Sequence, residues 1–182
     1  MGYFYGVLLK DFELSLEPVI NILPTIPVER GNHHITILYL GDKPPSRNAE
    51  DKVAQIIEGT QCFTVTLGDL TLLPAMLKPR VIAIQLINIE RLARLRASIL
   101  NVLRDLGVRV SDEYLNDFKP HITIAYIRSK VDPQYLMELR HELIKNEFRD
   151  KSLLINKVSL IRAQGNTYTE ITTHKMQCPQ QD

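Results

Sequence analysis

Hydrophobic and polar residues follow two periodicities along the chain, and each predicts its own kind of element. Alternation with a period of two predicts strands at residues 3–10, 33–40, 62–67, 80–87, 120–127, 153–162 and 167–175. Apolar residues at three- and four-residue steps predict helices at residues 14–23, 47–58, 89–106 and 133–148. Glycine and proline over residues 68–79 predict a loop, and residues 111–119 form another.

The predicted elements occur twice in the same order, which indicates an internal duplication. Each half has a strand, a helix, a second strand, a second helix and a third strand, and the second half adds a strand at its end. Alternating strands are typical of antiparallel sheets with one exposed face. The sequence therefore predicts an α+β fold in which two pseudo-twofold-related antiparallel sheets, with helices outside, surround a central cleft.

The length and composition predict one soluble domain over residues 1–182, with approximate lobes 1–79 and 80–182. The terminal strand is a candidate for exchange between the lobes. Hydrophobic residues make up 45% and charged residues 24% of the chain, which excludes disordered and collagen-like classes. The charges nearly cancel, to a net +1, so the overall charge does not by itself indicate a nucleic-acid partner.

The two cysteines, Cys62 and Cys178, form no C-x-x-C pair and no zinc-binding spacing with a histidine. We expect two unreactive free thiols, as in a reducing compartment. The amino terminus lacks the features of a signal peptide, and no apolar run approaches the roughly 18 residues of a membrane span. The sequence therefore predicts a cytoplasmic protein with no membrane partner.

The same pattern, His-Ile-Thr-Ile-x-Tyr, occurs in matching strands of the two halves. It begins at His34 in the first half and at His121 in the second. Residues two apart in a strand point to the same face, so each histidine shares a face with its threonine, Thr36 or Thr123. A lone histidine in an apolar strand is typical of a buried structural residue. The repetition favours a functional site, in which a pseudo-twofold brings the four side chains to one cleft.

Two imidazoles on opposite sides of a reacting centre can act as general acid and general base, because the ordinary histidine pKa lies near neutrality. The threonine hydroxyls can donate hydrogen bonds to oxygens that gain negative charge. These groups suit an in-line displacement at phosphorus. The His33–His34 doublet has no further ligand at a metal-like spacing, so we expect neither a metal site nor another cofactor.

The paired motifs resemble the signature of the two-histidine phosphoesterase superfamily. Within it the chain is most similar to the LigT-like RNA 2′,3′-cyclic phosphodiesterases, or 2′-5′ RNA ligase family, over nearly its whole length. The resemblance implies a metal-independent phosphodiesterase that converts RNA 2′,3′-cyclic phosphate ends to 2′-phosphates, with 2′-5′ ligation as a reverse activity. It also implies that His34 is the proton donor, that His121 is the proton acceptor, and that Thr36 and Thr123 hold the phosphate.

The chain departs from this family at one position. LigT-like enzymes often carry an arginine five residues after the second histidine, where this chain has Tyr126. The nearest basic residue, Arg128, falls on the face opposite His121 unless a bulge turns it. Tyr39 and Tyr126 occupy equivalent places and could stack on a base, but alternation puts both on the buried side, which favours ordinary core tyrosines. The candidates for substrate binding are Tyr39, Tyr126 and Arg128.

Three functions remain open at this point. The first is hydrolysis of 2′,3′-cyclic phosphates, on RNA ends or in small cyclic nucleotides, by a monomer. The second is the same chemistry on a cyclic oligonucleotide or a 2′-5′-linked oligonucleotide. The third is a non-catalytic protein that binds RNA ends, which the intact histidines and threonines of both motifs disfavour.

Overall fold

The computed structural model describes residues 1–12, 25–75, 78–128 and 149–179. The helices predicted at residues 14–23 and 133–148 lie outside these segments. The described helices are α1 (Arg47–Glu58) and α2 (Glu90–Asp105). The described strands are β1 (Gly2–Leu8), β2 (Thr25–Pro27), β3 (His34–Gly41), β4 (Phe63–Leu73), β5 (Val81–Ile87), β6 (His121–Ile127), β7 (Ser152–Ile155), β8 (Lys157–Gln164) and β9 (Thr167–Lys175). No helix in these segments is long and apolar enough to cross a membrane.

The described strands form one antiparallel sheet in the order β7-β4-β5-β6-β3-β1-β8-β9, with β2 paired to β6. Among the described residues, a single pair, Ile35 with Ile122, links β3 to β6 in the middle of this order. The sheet therefore consists of two parts. We call them the β3 half-sheet (β3, β1, β8 and β9) and the β6 half-sheet (β6, β5, β4 and β7).

The predicted α+β fold with antiparallel sheets is confirmed, but the half-sheets do not coincide with the two halves of the sequence. β4, from the first half, pairs with β5 and β7. β8, from the second half, pairs with β1 and carries β9 at its other edge. The predicted lobe boundary at residue 79 therefore does not separate the two half-sheets, because more than the terminal strand is exchanged between them.

Both described helices pack on the same face of the sheet. The Ser46 hydroxyl accepts a hydrogen bond from the Ala49 backbone N–H and so caps the start of α1. The buried side chains of this layer include Tyr5, Ile35, Ile37, Leu38, Val53, Ile57, Leu92, Ile99 and Leu103. Because side chains alternate along a strand, His34 and Thr36 lie on the opposite face, which we call the cleft face.

A polar cluster ties α1 to the β3 half-sheet on the helical side. The Glu50 carboxylate accepts hydrogen bonds from the Tyr5 and Thr172 hydroxyls and lies 2.9 Å from His174 Nε2. The other ring nitrogen of His174 lies 3.2 Å from Glu58 Oε1. Both ring nitrogens of His174 are thus engaged in holding the helix against the sheet.

Two predicted strands differ from the structure by more than a shift of one or two residues at their ends. The sequence predicts a loop from residue 68, but β4 continues to Leu73 with a register shift after Leu67. At this shift a Cβ on Gly68 would lie 3.0 Å from the Gln85 carbonyl oxygen, so the close approach of β5 suits glycine. The strand predicted at residues 153–162 is divided at Asn156, because β7 pairs with β4 whereas β8 pairs with β1.

The prediction of two free thiols is wrong, because Cys62 and Cys178 form a disulfide. The two residues are 116 positions apart, yet their Cα atoms lie 5.0 Å apart. Backbone hydrogen bonds of Gln177 with Thr60 and Cys62 hold the segment after β9 beside the start of β4. The strand arrangement creates this contact, and spacing along the chain gives no sign of it. The cytoplasmic location, which rested partly on free thiols, stays a prediction.

The disulfide connects the end of β9 in one half-sheet to the start of β4 in the other. We expect the double variant Cys62→Ser/Cys178→Ser to lower the free energy of unfolding by about 2–5 kcal/mol, because a long cross-linked loop restricts the unfolded chain. Urea unfolding with and without a thiol reductant measures the effect. Reductant should destabilise the wild type alone, and equal stability of the two proteins under oxidising conditions would contradict the expectation.

Candidate active site

The two residues that join β3 to β6, Ile35 and Ile122, are the middle residues of the two His-x-Thr motifs. In this antiparallel register His34 lies on the side of Thr123, and His121 lies on the side of Thr36. All four side chains belong to the cleft face, and all four are partly exposed. The structure therefore brings the two predicted histidines and the two predicted threonines together where the half-sheets meet.

A bulge follows each threonine and reverses the alternation of side chains beyond it. The register of β3 with β1 skips Ile37, and the register of β6 with β5 skips Ile124 at the equivalent position. Both isoleucines are buried. Because each bulge inserts one extra residue, the side chains after it point to the face opposite the one that simple alternation predicts. Tyr39 and Tyr126 thereby join the cleft face, so their assignment to the buried side by alternation alone is wrong.

Backbone carbonyls hold the two imidazoles in the same way. Nδ1 of His34 donates to the Asn32 carbonyl oxygen at 2.9 Å, and Nδ1 of His121 donates to the Lys119 carbonyl oxygen at 2.8 Å. A carbonyl oxygen can only accept, so Nδ1 carries a proton in each ring. Nε2 is therefore the atom of each ring that is left for proton transfer.

Aromatic rings surround His34. Its ring centroid lies 4.1 Å from that of Tyr168 and 5.1 Å from that of Phe4. Burial lowers the pKa of His34 to about 4; the nearby His121 adds to this shift, and the hydrogen bond to Asn32 opposes it. His34 is therefore neutral at pH 7 until an anion beside it favours the charged ring.

His121 has a more polar and more open environment. The residue paired with His121 on the neighbouring strand β5 is Gln85, whereas the residue paired with His34 on β1 is Leu8. His121 lines two grooves of about 340 and 400 Å³, and His34 lines neither of them. Burial lowers the pKa of His121, while its backbone hydrogen bond and the negative charge of Glu113 oppose the shift. The two symmetry-related rings are thus chemically unequal.

Tyr126 stands where LigT-like enzymes often have an arginine, and its hydroxyl lies 3.1 Å from the Tyr168 hydroxyl. Burial and this hydrogen bond raise the pKa of Tyr168, so its hydroxyl stays protonated at neutral pH. The two phenols form a hydrogen-bonded pair, and the Tyr168 ring of this pair packs against His34. Arg128 is exposed just beyond the end of β6, and the bulge at Ile124 gives it, like Tyr126, the parity of His121 and the cleft face.

A buried arginine of α2, Arg96, anchors the loop that precedes β6. Its guanidinium donates to the backbone carbonyls of Ile37, Tyr114 and Leu115 at 3.0, 3.1 and 3.4 Å. It also lies 3.4 Å from the Asp112 carboxylate, and both of these side chains are only 7% exposed. Because Ile37 is the bulge residue of β3, one side chain connects the bulge to the loop.

Sequence reasoning missed Arg96, Asp112 and Tyr168. Arg96 does leave a signal, because it lies in the apolar stripe of α2 between Leu92 and Ile99, where a charged side chain needs a buried partner. Asp112 lies in a loop without periodicity. Tyr168 lies in a strand whose alternation does not distinguish it from its neighbours, so neither position carries a local signal.

The cleft face presents two imidazole Nε2 atoms, two threonine hydroxyls and several aromatic rings. The imidazoles can exchange protons, the hydroxyls can donate to an anion, and the rings can stack on a planar group. In the segments that the structure describes, no group of three or more histidine, cysteine, aspartate or glutamate side chains is arranged to hold a metal ion. The arrangement can therefore bind an anion and move protons on either side of it.

Comparison with known proteins identifies the family. The sequence model of the 2′-5′ RNA ligase superfamily matches residues 25–167. The RNA 2′,3′-cyclic phosphodiesterase of Archaeoglobus fulgidus is 28% identical over 155 residues, which cover 79% of this chain and 80% of that protein. Because the superfamily match extends over well more than half of the chain, the protein belongs to the 2′-5′ RNA ligase superfamily. The family predicted from the paired motifs is confirmed.

Solved structures share the fold. TT0787 of Thermus thermophilus matches with a TM-score of 0.71 at 19% identity, over 96% of this chain and 97% of that chain. LigT of E. coli, in a complex with 3′-AMP, matches with a TM-score of 0.60 at 19% identity, again over 96% and 97%. At these identities the likeness establishes the fold alone.

Acidification should destabilise the protein through His34. Its folded pKa of about 4 lies below the ordinary value of 6.5, so between these values the unfolded chain binds a proton that the folded chain does not. Stability therefore falls as the pH drops from about 6.5 to about 4. We expect His34→Gln to reduce the loss between pH 7 and pH 4.5, as measured by urea unfolding. An equal loss in wild type and variant would contradict this.

Proposed function

We propose that this protein is a metal-independent phosphodiesterase that hydrolyses 2′,3′-cyclic phosphates, at RNA ends and in small cyclic nucleotides, to 2′-phosphates. The observation that carries the proposal is the pair of imidazoles, each held through Nδ1, that share one cleft face with two threonine hydroxyls. Membership of the 2′-5′ RNA ligase superfamily and the activity in the name of the A. fulgidus relative support the same reaction.

The reaction is an in-line displacement. His121 Nε2 takes a proton from water, and the oxygen of that water attacks phosphorus opposite ribose O3′. The P–O3′ bond breaks, and O3′ receives the proton that His34 Nε2 carries. Thr36 and Thr123 hydroxyls donate to the non-bridging oxygens as their negative charge grows. The product is a 2′-phosphate with a free 3′-hydroxyl, and proton exchange with solvent returns both rings to their starting states.

The unequal surroundings of the two rings support this division of roles. The negative charge of a bound phosphodiester raises the pKa of His34, so the ring is protonated when substrate is present. An imidazolium among apolar rings releases its proton readily to the departing oxygen. His121 lies beside two grooves and the polar Gln85, where water can reach it.

The same cleft can accept an RNA 5′-hydroxyl in place of water, and attack by that oxygen would form a 2′-5′ linkage. Tyr39 and Tyr126 on the cleft face, with Arg128 at its edge, are the proposed contacts to the nucleotide. A single chain supplies all the proposed catalytic side chains, so we propose that a monomer is the active form.

Hydrolysis of 2′,3′-cyclic AMP in the presence of EDTA tests the function. We expect turnover that the chelator does not change, because imidazoles supply both proton transfers. Chromatography should show adenosine 2′-phosphate as the main product. A 3′-phosphate as the main product would mean that the two histidines have the opposite roles. Cleavage confined to cyclic or 2′-5′-linked oligonucleotides would mean that these, and not 2′,3′-cyclic phosphates, are the substrates. Activity that EDTA removes and Zn²⁺ or Mn²⁺ restores would contradict the mechanism.

Replacement of either catalytic histidine should remove most of this activity. We expect His34→Ala and His121→Ala each to lower kcat by at least about a hundredfold, because a positioned acid or base contributes roughly 10²–10⁴-fold. His33→Ala is the matched control, because this neighbouring ring packs against Phe12 outside the cleft face. Circular dichroism verifies folding. Retention of more than a tenth of the wild-type rate in either site variant would reject the assignment.

A further inference from the structure

One of the aromatic rings beside His34 comes from the far edge of its half-sheet. Tyr168 lies on β9, and two strands, β8 and β1, separate β9 from β3 in the sheet order. The ring centroid of Tyr168 nevertheless lies 4.1 Å from that of His34. The β3 half-sheet is therefore concave on the cleft face, as the twist of a sheet allows, and a residue of its edge strand covers a residue of β3.

Two aromatic rings restrict the orientation of the His34 imidazole. The Phe4 centroid lies 5.1 Å from it, and Phe4 and Tyr168 pack edge to face with their centroids 6.1 Å apart. The hydrogen bond from Nδ1 to the Asn32 carbonyl oxygen holds one edge of the imidazole. On its own, one hydrogen bond leaves the ring some rotation about its bond to Cβ, and close packing against the two aromatic rings removes it. Nε2 therefore has a defined direction.

Tyr168 is also connected to the opposite half-sheet. Its hydroxyl lies 3.1 Å from the Tyr126 hydroxyl, which is within hydrogen-bond distance. Tyr126 lies on β6, the strand that begins at His121. Between the described parts of β3 and β6, backbone pairing is limited to Ile35 and Ile122. The two hydroxyls, which we call the tyrosine bridge, are therefore a second connection between the half-sheets, on the face that carries the histidines.

We propose that Tyr168 is a positioning residue for His34, and that the tyrosine bridge holds this acid in a fixed place relative to the base on β6. The role rests on the proposed function, in which one imidazole lies on each side of the phosphorus. The contacts form one chain, from β6 through the two hydroxyls to the Tyr168 ring and on to His34. The Tyr126 hydroxyl is engaged in this bridge, while its ring remains available to the nucleotide.

His121 is packed less closely, which suits a base that must admit water. The Tyr114 ring meets it edge-on, with the centroids 6.2 Å apart. Gln85 and two grooves lie on its other sides. In the proposed reaction the departing O3′ stays attached to the ribose, whereas the attacking water arrives from solvent. A closely held acid and an accessible base are therefore the arrangement that this reaction needs.

The surroundings of His34 allow the effect of the Tyr168 ring to be measured by titration. The groups around it are two apolar side chains, two phenols and two histidines, namely Phe4 and Leu8 of β1, Tyr168 of β9, Tyr126 and His121 of β6, and His33 of β3. The two histidines lower its pKa by their charge, but burial is the largest cause of the shift. Removal of a covering ring should therefore raise this pKa.

NMR titration of His34 tests the role of the ring. We expect Tyr168→Ala to raise the titration midpoint of His34 from about 4 toward the ordinary 6.5. The same variant should lower kcat for 2′,3′-cyclic AMP by about tenfold or more, because a misplacement of about 1 Å can cost roughly a hundredfold. Tyr168→Phe keeps the ring and should keep the midpoint. Thr169→Ala is the control, because this exposed neighbour on β9 points to the other face. A folded Tyr168→Ala variant with the wild-type midpoint would overturn the positioning role.

The tyrosine bridge is tested by Tyr126→Phe, Tyr168→Phe and their combination, all of which keep both rings. We expect each single variant to lower kcat roughly two- to tenfold, the worth of one hydrogen bond, with little change in KM. The double variant should lose no more than either single variant, because the same hydrogen bond is absent in all three. Losses that multiply in the double variant would overturn the bridge. So would an effect of Tyr126→Phe on KM alone, which would mean that this hydroxyl binds the nucleotide.

The titration and the kinetics separate this role from the proposed function. If the protein hydrolyses no cyclic phosphate but the His34 midpoint rises in Tyr168→Ala and not in Tyr168→Phe, the proposed function fails and the placement of His34 by Tyr168 stands. If hydrolysis occurs and none of these variants lowers kcat, the positioning role is overturned and the function stands. Circular dichroism verifies folding, and the phenylalanine variants, which retain the packing of the cleft, decide the role of the bridge if Tyr168→Ala does not fold.

Discussion

The whole site depends on the contact between β3 and β6 at Ile35 and Ile122. Both side chains are fully buried under the sheet, and between the described parts of β3 and β6 they form the joint of the half-sheets. Because neighbouring residues in a strand point to opposite faces, burial of these isoleucines forces His34 and His121 into the cleft. A close-packed contact allows little movement. The core on the helical side of the sheet therefore fixes the spacing of the histidine and threonine side chains on the cleft face.

The bulges extend this constraint to the rest of the cleft. An extra residue leaves a backbone carbonyl without its sheet partner, and a buried carbonyl needs another donor. In β3 the Ile37 carbonyl accepts from Arg96 Nε at 3.0 Å, and in β6 the Ile124 carbonyl accepts from the Val28 N–H at 2.7 Å. Each bulge is thus stabilised from outside its own strand pair. The tyrosine that follows is held on the cleft face as a result.

The duplication supplies two copies of one motif, and the neighbouring strands make them different. Leu8 beside His34 and Gln85 beside His121 occupy equivalent positions in the two half-sheets. The apolar side desolvates one ring, while the grooves leave the other accessible to water. In the proposed reaction, which uses one acid and one base, this inequality separates the two roles, and it arises from residues outside the repeated motif.

The periodicities along the chain determined the positions of α1, α2 and most strands, because helical spacing and strand alternation are local properties. The repeated His-x-Thr pattern, also a local feature of the sequence, was enough to predict the family. Only the tertiary structure decided that Cys62 bonds to Cys178, that β4 and β8 change places between the half-sheets, and that Tyr39 faces the cleft. It also decided that Arg96 pairs with Asp112. The physical reason is the same in each case. Strand register, bulges, disulfides and buried ion pairs depend on which segments, distant in sequence, meet in the fold. Local patterns of hydrophobic and polar residues do not specify those contacts.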